Sequence, residues 1–260
     1  MKKDKGYVDS EYLRFVAKIV AKYKQRTYTL MHIELGHKVL DVGCGPGTDT
    51  IPIAQLTGAT GQVVGVDYDE KMIAEADEQA EKADISQWVR HVHADASLLP
   101  FEPGYFDSVR SERLFQHLKD QDKAMTEMVR VTKSGGWVVA LDTDWSTMSL
   151  DTTEINIEQR LKRFHTEHRF HNGFAGRQLY RLFKKRNLAD ISVEMAPILI
   201  TNYAIAWQIA ALHETEQAAI TAGVITSDEL DRLHKSLEQA DADGVYFHCA
   251  NQVIVAGRKN

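Results

Sequence analysis

Three glycines at alternate positions follow a short apolar segment in the first fifth of the chain. The segment is Val39-Leu40-Asp41-Val42, and the glycines are Gly43, Gly45 and Gly47. Glycine tolerates a positive φ angle and has no Cβ, so such a loop turns sharply and lets its backbone approach a ligand. A strand that ends in a glycine loop and leads into a helix is typical of the binding edge of a parallel sheet. We therefore expect a ligand at this loop.

The spacing of the glycines bears on which ligand that is. Dinucleotide-binding loops follow G-x-G-x-x-G and place a pyrophosphate at the N terminus of the next helix. Here the spacing is G-x-G-x-G, and Asp41 precedes the first glycine. A carboxylate there suits a ligand with an amino group, although Asp41 could equally cap backbone N–H groups of its own loop. We expect Cys44, within the loop, to be a small packing residue.

Two further carboxylates follow later apolar segments. Asp67 ends Gln62-Val63-Val64-Gly65-Val66, about 20 residues beyond the loop, where an acidic side chain accepts hydrogen bonds from ribose hydroxyls. Asp95 follows the segment that ends at His93, and its carboxylate could accept a hydrogen bond from the exocyclic amine of an adenine.

Apolar segments and amphipathic segments alternate along the first 142 residues, which predicts a parallel sheet with helices on both faces. The strands are predicted at 38–42, 62–66, 88–93, 106–110 and 137–141, and the helices at 9–23, 48–56, 69–83 and after Asp120. Asp9 or Ser10 is the expected cap of the first helix.

The last third is more polar and predicts a helical decoration of one domain that spans 1–260. Helices are predicted at 151–170 and 176–186, strands at 191–201 and 245–256, and a helical insertion at about 203–243, in which Thr226 and Glu229 fit a capping box. The expected core is about 36–202 and 244–260, with a cap helix at 8–32.

Composition excludes several classes of protein. The chain has 260 residues, 43% of them hydrophobic, two cysteines and a formal net charge of −6, which does not suit a protein that binds a nucleic-acid backbone. No apolar segment approaches the roughly 20 residues of a membrane span, and no apolar region follows the N-terminal lysines as in a secretory signal. We expect a cytoplasmic monomer or homodimer that acts on a small molecule, without nucleic acid or membrane.

Four blocks in order resemble the class I S-adenosylmethionine-dependent methyltransferases, in particular the branch of quinone-biosynthesis and natural-product enzymes. The blocks are Val39 to Thr48, Val66-Asp67 with Met72, His93 to Pro100, and Phe106 to Val109 with Ser134-Gly135-Gly136. The resemblance covers roughly residues 36–142. It implies an α/β fold: a Rossmann-like, doubly wound, seven-stranded sheet whose last strand is antiparallel.

The resemblance also implies which residues bind S-adenosyl-L-methionine, the methyl donor. Gly43, Gly45 and Gly47 would pack on its methionine moiety, with Asp41 and Cys44 in the same loop. Asp67 would bind both ribose hydroxyls. The remaining donor-site residues are Asp95 and Ala96 at the adenine, Tyr68 and Met72 as its apolar wall, and Ser111 at the methionine end.

Candidates for the chemistry follow the fourth and fifth strands, at the expected rim of the site. His117 could act as a base or be structural, and Glu112 is a second possible base. Asp144, with Asp142 and Trp145, could orient an acceptor. His165, His168 and His171 are spaced by three, but we interpret them as part of a solvated helix and predict no metal site.

These observations predict an enzyme that transfers a methyl group to oxygen or carbon of a small, aromatic or apolar molecule by in-line displacement. Two alternatives are a regulatory protein that binds S-adenosylmethionine without catalysis and a nicotinamide-dependent oxidoreductase. The glycine spacing argues against the second.

Overall fold

The computed structural model describes residues 8–210 and 212–260. The first helical segment is two helices, α1 (Ser10–Ile19) and α2 (Ala21–Leu30), which meet at Val20 rather than forming one helix over 9–23. Asp9 caps α1 by accepting a hydrogen bond of 2.9 Å from the N–H of Tyr12.

Alternating strands and helices then form the core. They are β1 (Lys38–Val42), α3 (Thr50–Thr57), β2 (Gln62–Asp67), α4 (Glu70–Lys82), β3 (Val89–His93), β4 (Phe106–Glu112), a short 3₁₀ helix (Phe115–His117) and α5 (Gln121–Val131). The second half contains β5 (Thr132–Leu150), α6 (Ile155–His168), α7 (Ala175–Lys185), β6 (Ala189–Ile200), α8 (Tyr203–Ala210), α9 (Leu212–Thr221), α10 (Ser227–Ala242) and β7 (His248–Arg258).

The strands form one seven-stranded sheet in the order β3-β2-β1-β4-β5-β7-β6. The pairs from β3 to β5 are parallel, whereas β7 runs antiparallel to both β5 and β6. The predicted fold class is therefore confirmed. Strand order reverses at β1, so the glycine loop after β1 lies where open α/β sheets bind their ligands.

One predicted strand is far shorter than the observed one. β5 runs 19 residues, not five, because after leaving β4 it continues its antiparallel pairing with β7 as far as Leu150. Asp142, Asp144 and Trp145 therefore lie within a strand, not in the loop that the sequence predicted after it. Asp142 and Asp144, two residues apart, point to the same face of the sheet.

The cap is a second packed layer, joined to the sheet at β6. Side chains from α1, α6, α8, α9 and α10 share one buried apolar cluster with the end of β6: Val16, Val20, Ile157, Leu161, Phe164, Ile200, Ala206, Ile209, Ala219, Leu230, Leu233 and Leu237. The predicted 203–243 insertion is α8, α9 and α10, and Thr226 and Glu229 form the capping box of α10.

The interpretation of α6 as a solvated helix was wrong. His165 is fully buried in its last turn, and its Nδ1 lies 2.9 Å from the hydroxyl of Thr215 on α9. The helix buries one face against α9 and β5. Among the described residues, no helix is long and apolar enough to span a membrane.

Candidate functional site

A cavity of about 500 Å³ lies at the carboxyl ends of the parallel strands, beneath the cap. One side is built by the loops that follow β1, β2, β3 and β4. The other side comes from α1, the segment after α6, and the ends of β6 and β7. This volume lies within the usual range of small-molecule binding sites. The cavity can therefore hold more than one small metabolite fragment.

Most of the donor-site residues predicted from the sequence line this cavity. They are Gly43, Cys44, Gly45, Asp67, Tyr68, Met72, Asp95 and Ala96, together with the catalytic candidate His117. Four predicted residues are not part of its wall: Asp41, Gly47, Ser111 and Asp144. All four loops contribute to the cavity wall, and the four exceptions have specific causes.

The glycine loop is held by the neighbouring strand β2. The N–H of Gly43 donates to the carbonyl of Val66 at 2.7 Å, and the N–H of Gly45 donates to the Asp67 carboxylate at 2.8 Å. Both glycines have positive φ angles, 78° and 53°. A Cβ on Gly45 would lie 3.2 Å from the side chain of Leu13, so α1 closes over the loop from the opposite side.

Gly47 is a packing glycine. Its φ angle is 78°, and an added Cβ would lie 3.1 Å from the Cβ of Ala76 on α4. It therefore lets α4 approach the loop, and it does not reach the cavity. Cys44 is buried, where desolvation raises its thiol pKa well above the ordinary value, so the thiol is poorly suited to act as a nucleophile.

Asp67 and Asp95 differ in how they are held. The two carboxylate oxygens of Asp67 accept backbone N–H bonds from Gly45 at 2.8 Å and from Asp69 at 3.0 Å, and burial raises the pKa of this carboxyl. Asp95 accepts one bond of 2.7 Å from the N–H of Ser97 and stays exposed. Both carboxylates keep acceptor capacity for hydroxyl or amino groups of a ligand.

Asp41 belongs to a buried charged cluster rather than to the cavity wall. Its Oδ1 lies 3.1 Å from Nη1 of Arg110, a guanidinium with no exposed surface, and the same nitrogen lies 3.0 Å from Asp49. Arg110 also donates to Glu112 at 2.8 Å. The sequence analysis expected Asp41 either to contact a ligand or to cap backbone N–H groups. The ion pair with Arg110 is neither of these roles.

Lys24 connects this cluster to the cap and was missed by the sequence analysis. Its ammonium donates to Asp49 at 2.6 Å and to Glu112 at 2.8 Å, and all three side chains line the cavity. Burial opposes ionisation of Asp49, but Arg110 and Lys24 outweigh it and hold the pKa of Asp49 below its ordinary value. Lys24 lies within the predicted cap helix, but a lysine on a helix is ordinarily solvated, so the sequence did not indicate its burial.

A chain of hydrogen bonds fixes His117 in the cavity wall. The indole N–H of Trp145, which can only donate, lies 2.8 Å from Oε1 of Gln116. The Gln116 amide must therefore present its NH₂ group to Nε2 of His117, at 3.1 Å. This assigns Nε2 as an acceptor, so the proton of the neutral ring is on Nδ1.

Asp144 and Asp142 are directed away from the cavity. Asp144 pairs with the guanidinium of Arg177 and accepts a bond of 2.7 Å from the hydroxyl of Ser146. Asp142 accepts backbone bonds from Phe115 at 2.7 Å and Thr143 at 2.9 Å, and so fixes the turn that carries His117. This placement of Asp144 does not support contact with an acceptor. Ser111, which was predicted at the methionine end of the donor, is completely buried within β4.

The wall beneath the cap combines Trp145, which the sequence analysis named, with residues that it missed. Trp145 and Phe170 stack with ring centroids 5.0 Å apart. Arg169, His248 and Gln252 lie in the same region of the cavity lining. No group of His, Cys, Asp or Glu residues in the described ranges is arranged to hold a metal ion.

The comparisons with known proteins agree with this geometry. Residues 40–140 match the family model of a methyltransferase domain. The chain is 30% identical over 203 residues to an uncharacterized 37.1 kDa protein in a Streptomyces fradiae transposon, covering 78% of this chain and 58% of that one. It is 36% identical over 126 residues to the demethylmenaquinone methyltransferase of Bacillus cereus, covering 48% and 53%. The chain thus spans less than two thirds of the length of these relatives.

Solved structures show the same fold. The YcgJ protein of Bacillus subtilis aligns with a TM-score of 0.64 at 20% identity, over 94% of this chain and 98% of that one. The phosphoethanolamine N-methyltransferase 2 of Haemonchus contortus, in complex with S-adenosyl-L-methionine, aligns with a TM-score of 0.56 at 26% identity, over 92% and 52%.

Proposed function

We propose, from the premise that residues 40–140 form a class I S-adenosylmethionine-dependent methyltransferase domain, that the chain methylates a small molecule with S-adenosylmethionine as donor. One observation carries the proposal. The glycine loop, Asp67 and Asp95 line one end of a single cavity, and Trp145 and the cap line the other. Donor and acceptor can therefore meet without leaving that space.

The donor end suits each part of S-adenosylmethionine. The two oxygens of Asp67 are fixed by backbone N–H groups and would accept hydrogen bonds from the ribose hydroxyls. Asp95 would accept a bond from the adenine amine, with Met72 and Tyr68 beside the ring. The amino-acid portion would lie over Gly43, Cys44 and Gly45, where the charged side chains of Lys24, Asp49 and Glu112 match its ammonium and carboxylate.

When bound, the donor supplies a methyl group on a positively charged sulfur, and the acceptor displaces the sulfur in line. The protein's contribution is to hold the acceptor atom in line with that bond and to exclude water. Tyr12 and Phe170, one from α1 and one from the segment after α6, enclose the acceptor end.

His117 would orient the acceptor. Because Gln116 donates to its Nε2, the ring presents an N–H at Nδ1 and is a hydrogen-bond donor more readily than a base. We propose that the acceptor atom is oxygen or carbon, that the enzyme works in the cytoplasm as a monomer or homodimer, and that its partner is a small molecule. The net charge of −6 supports a small molecule over a nucleic acid.

Calorimetry with S-adenosylhomocysteine and with NADH tests the donor. We expect the first to bind and the second not to. A screen of phenols, quinols and anionic aromatic compounds with methyl-labelled donor then tests turnover. Binding of S-adenosylhomocysteine without turnover on any acceptor would favour a regulatory protein, and binding of NADH alone would overturn the proposal.

A further inference from the structure

The two ends of the cavity differ in charge. The end beside the glycine loop carries the carboxylates of Asp67, Asp69 and Asp95. The end beneath the cap carries Arg169, from the segment that follows α6, and His248 from β7. No carboxylate from α6, α8, β6 or β7 lines the cavity there, within the part of the chain that the structure describes.

Arg169 is a buried cation whose pairing is incomplete. Its side chain is 10% exposed, and its nearest carboxylate, Glu214, is 3.3 Å from Nη1 but 66% exposed to solvent. Its Nε is buried without a hydrogen-bond partner among the described residues. A guanidinium has five N–H donors, and burying one with donors unsatisfied costs free energy. This wall therefore holds a cation with donors left over for a ligand.

The surroundings of Arg169 contain further unsatisfied polar atoms. Nδ1 of His248 and Oε1 of Gln252 are both buried without a partner in the described ranges, and both side chains line the cavity. The guanidinium groups of Arg113 and Arg169 also lie near the phenol of Tyr12, whose hydroxyl donates to the carbonyl of Ile209. An acceptor that is apolar throughout would leave Nε of Arg169, Nδ1 of His248 and Oε1 of Gln252 without a partner.

Apolar side chains complete the same wall. Phe170 stacks on Trp145, and Ile200 of β6 and Ile209 of α8 also line the cavity. A ligand that satisfies the whole wall therefore needs both an apolar body and an anionic group.

We propose that the methyl acceptor is an amphipathic organic anion, an apolar body with a carboxylate or a phosphate monoester that binds Arg169. His248 lies in the same wall and adds polar contacts to that anion. The inference rests on the proposed function, because it concerns the acceptor of the same reaction. The sequence predicted an aromatic or apolar acceptor, and this proposal adds an anionic group to that molecule.

Binding to the protein saturated with S-adenosylhomocysteine tests the proposal by calorimetry. The probes are 3-phenylpropionate, 2-phenylethyl phosphate and the neutral match 3-phenylpropionamide. We expect at least one anion to bind about tenfold more tightly than the amide, the value of one charge-assisted bond pair. The anion that binds more tightly shows whether the site prefers a carboxylate or a phosphate monoester.

The variant Arg169→Gln should remove that preference and leave the affinity for the amide unchanged, whereas Arg169→Lys should keep part of it. Arg163→Gln is the matched control, because Arg163 lies on α6, six residues before Arg169, with its side chain 77% exposed. Unchanged S-adenosylhomocysteine affinity and melting temperature show that each variant is folded.

Three results would overturn the proposal: equal affinity of the wild-type protein for the anions and the amide, no binding of either anion, or an unchanged preference in Arg169→Gln. The comparison between the anions and the amide in the wild-type protein remains valid even if a variant does not fold. Failure of the protein to bind S-adenosylhomocysteine at all would instead overturn the proposed function.

Discussion

The carboxylate of Asp67 accepts a hydrogen bond of 2.8 Å from the N–H of Gly45, so one side chain ties the end of β2 to the glycine loop. The same carboxylate is the proposed ligand of the donor ribose. Asp67 therefore holds the glycine loop in place and is also expected to bind the donor.

Asp67→Ala should weaken S-adenosylhomocysteine binding by roughly 1–3 kcal/mol, because charge-assisted hydrogen bonds to the ribose are lost. Calorimetry measures the change. Asp231→Ala, at an exposed position on α10, is the control and should bind as the wild-type protein does. Unchanged affinity in a folded Asp67→Ala variant would contradict the assignment.

A comparison of Gly47→Ala with Gly135→Ala separates the cost of a positive φ angle from the cost of a steric clash. Their φ angles are 78° and 79°, but an added Cβ meets Ala76 and Thr50 at Gly47 and no atom within 4 Å at Gly135. We expect Gly135→Ala to lower the free energy of unfolding by about 1–2 kcal/mol, and Gly47→Ala to lower it by a further 1–3 kcal/mol, roughly. Urea denaturation measures both. Equal losses would show that α4 does not press on the loop.

Lys24→Met should lower the free energy of unfolding by about 3–5 kcal/mol, because it leaves Asp49 and Glu112 buried with one cation fewer. Lys22→Met, two residues earlier and exposed, is the matched control. Chemical denaturation compares the two. A loss no larger than that of the control would mean that water enters the cluster and replaces the ammonium.

His117→Ala tests whether the ring orients the acceptor or removes a proton. Loss of a hydrogen-bond donor should lower kcat about tenfold, with S-adenosylhomocysteine affinity unchanged. Loss of a general base would lower kcat by roughly 10²–10⁴ and change the pH profile. Steady-state kinetics with an acceptor from the screen distinguish them, and Gln116→Leu should reproduce part of the smaller effect, since Gln116 fixes the ring.

His165 should make the protein less stable in mild acid. Burial lowers its pKa to about 3, whereas the unfolded chain takes up the proton near pH 6.5. Between those values only the unfolded state binds the proton, so the free energy of unfolding falls as pH falls, by up to about 1.4 kcal/mol per pH unit.

His165→Gln keeps a partner for Thr215 and removes this titration, so its stability should fall less steeply from pH 6.5 downward. His248, whose pKa burial lowers to about 4, remains and keeps part of the slope. His213→Gln, on the exposed side of α9, should follow the wild-type profile in urea denaturation. Identical slopes for His165→Gln and the wild-type protein would contradict the burial argument.

The fold of the first 142 residues could be predicted because its signals are local. The parallel strands each carry buried apolar residues and alternate with amphipathic helices, and the loop after β1 has its glycines where positive φ angles occur. Asp67 and Asp95 end or follow such strands, and the carboxyl ends of parallel strands share one edge of a sheet. The position of these two carboxylates therefore depends on chain order alone.

The rest of the site depends on contacts distant in sequence. Arg110 lies in the middle of β4, where sequence alone predicts an apolar side chain, and only the arrival of Asp41, Asp49 and Glu112 around it explains its burial. β5 continues to Leu150 because β7, a hundred residues later, supplies its partner. Arg169 gave no local signal at all, since a basic residue at a helix end is ordinarily solvated.

The missing side chain of Gly45 accommodates Leu13 on one face while the other is open to the donor. α1 is therefore packed against the loop that the donor is proposed to contact. The exposed ion pair between Arg14 and Glu75 adds little to the attachment of α1. Any side chain at position 45 would disturb the packing of α1 and the proposed donor site together.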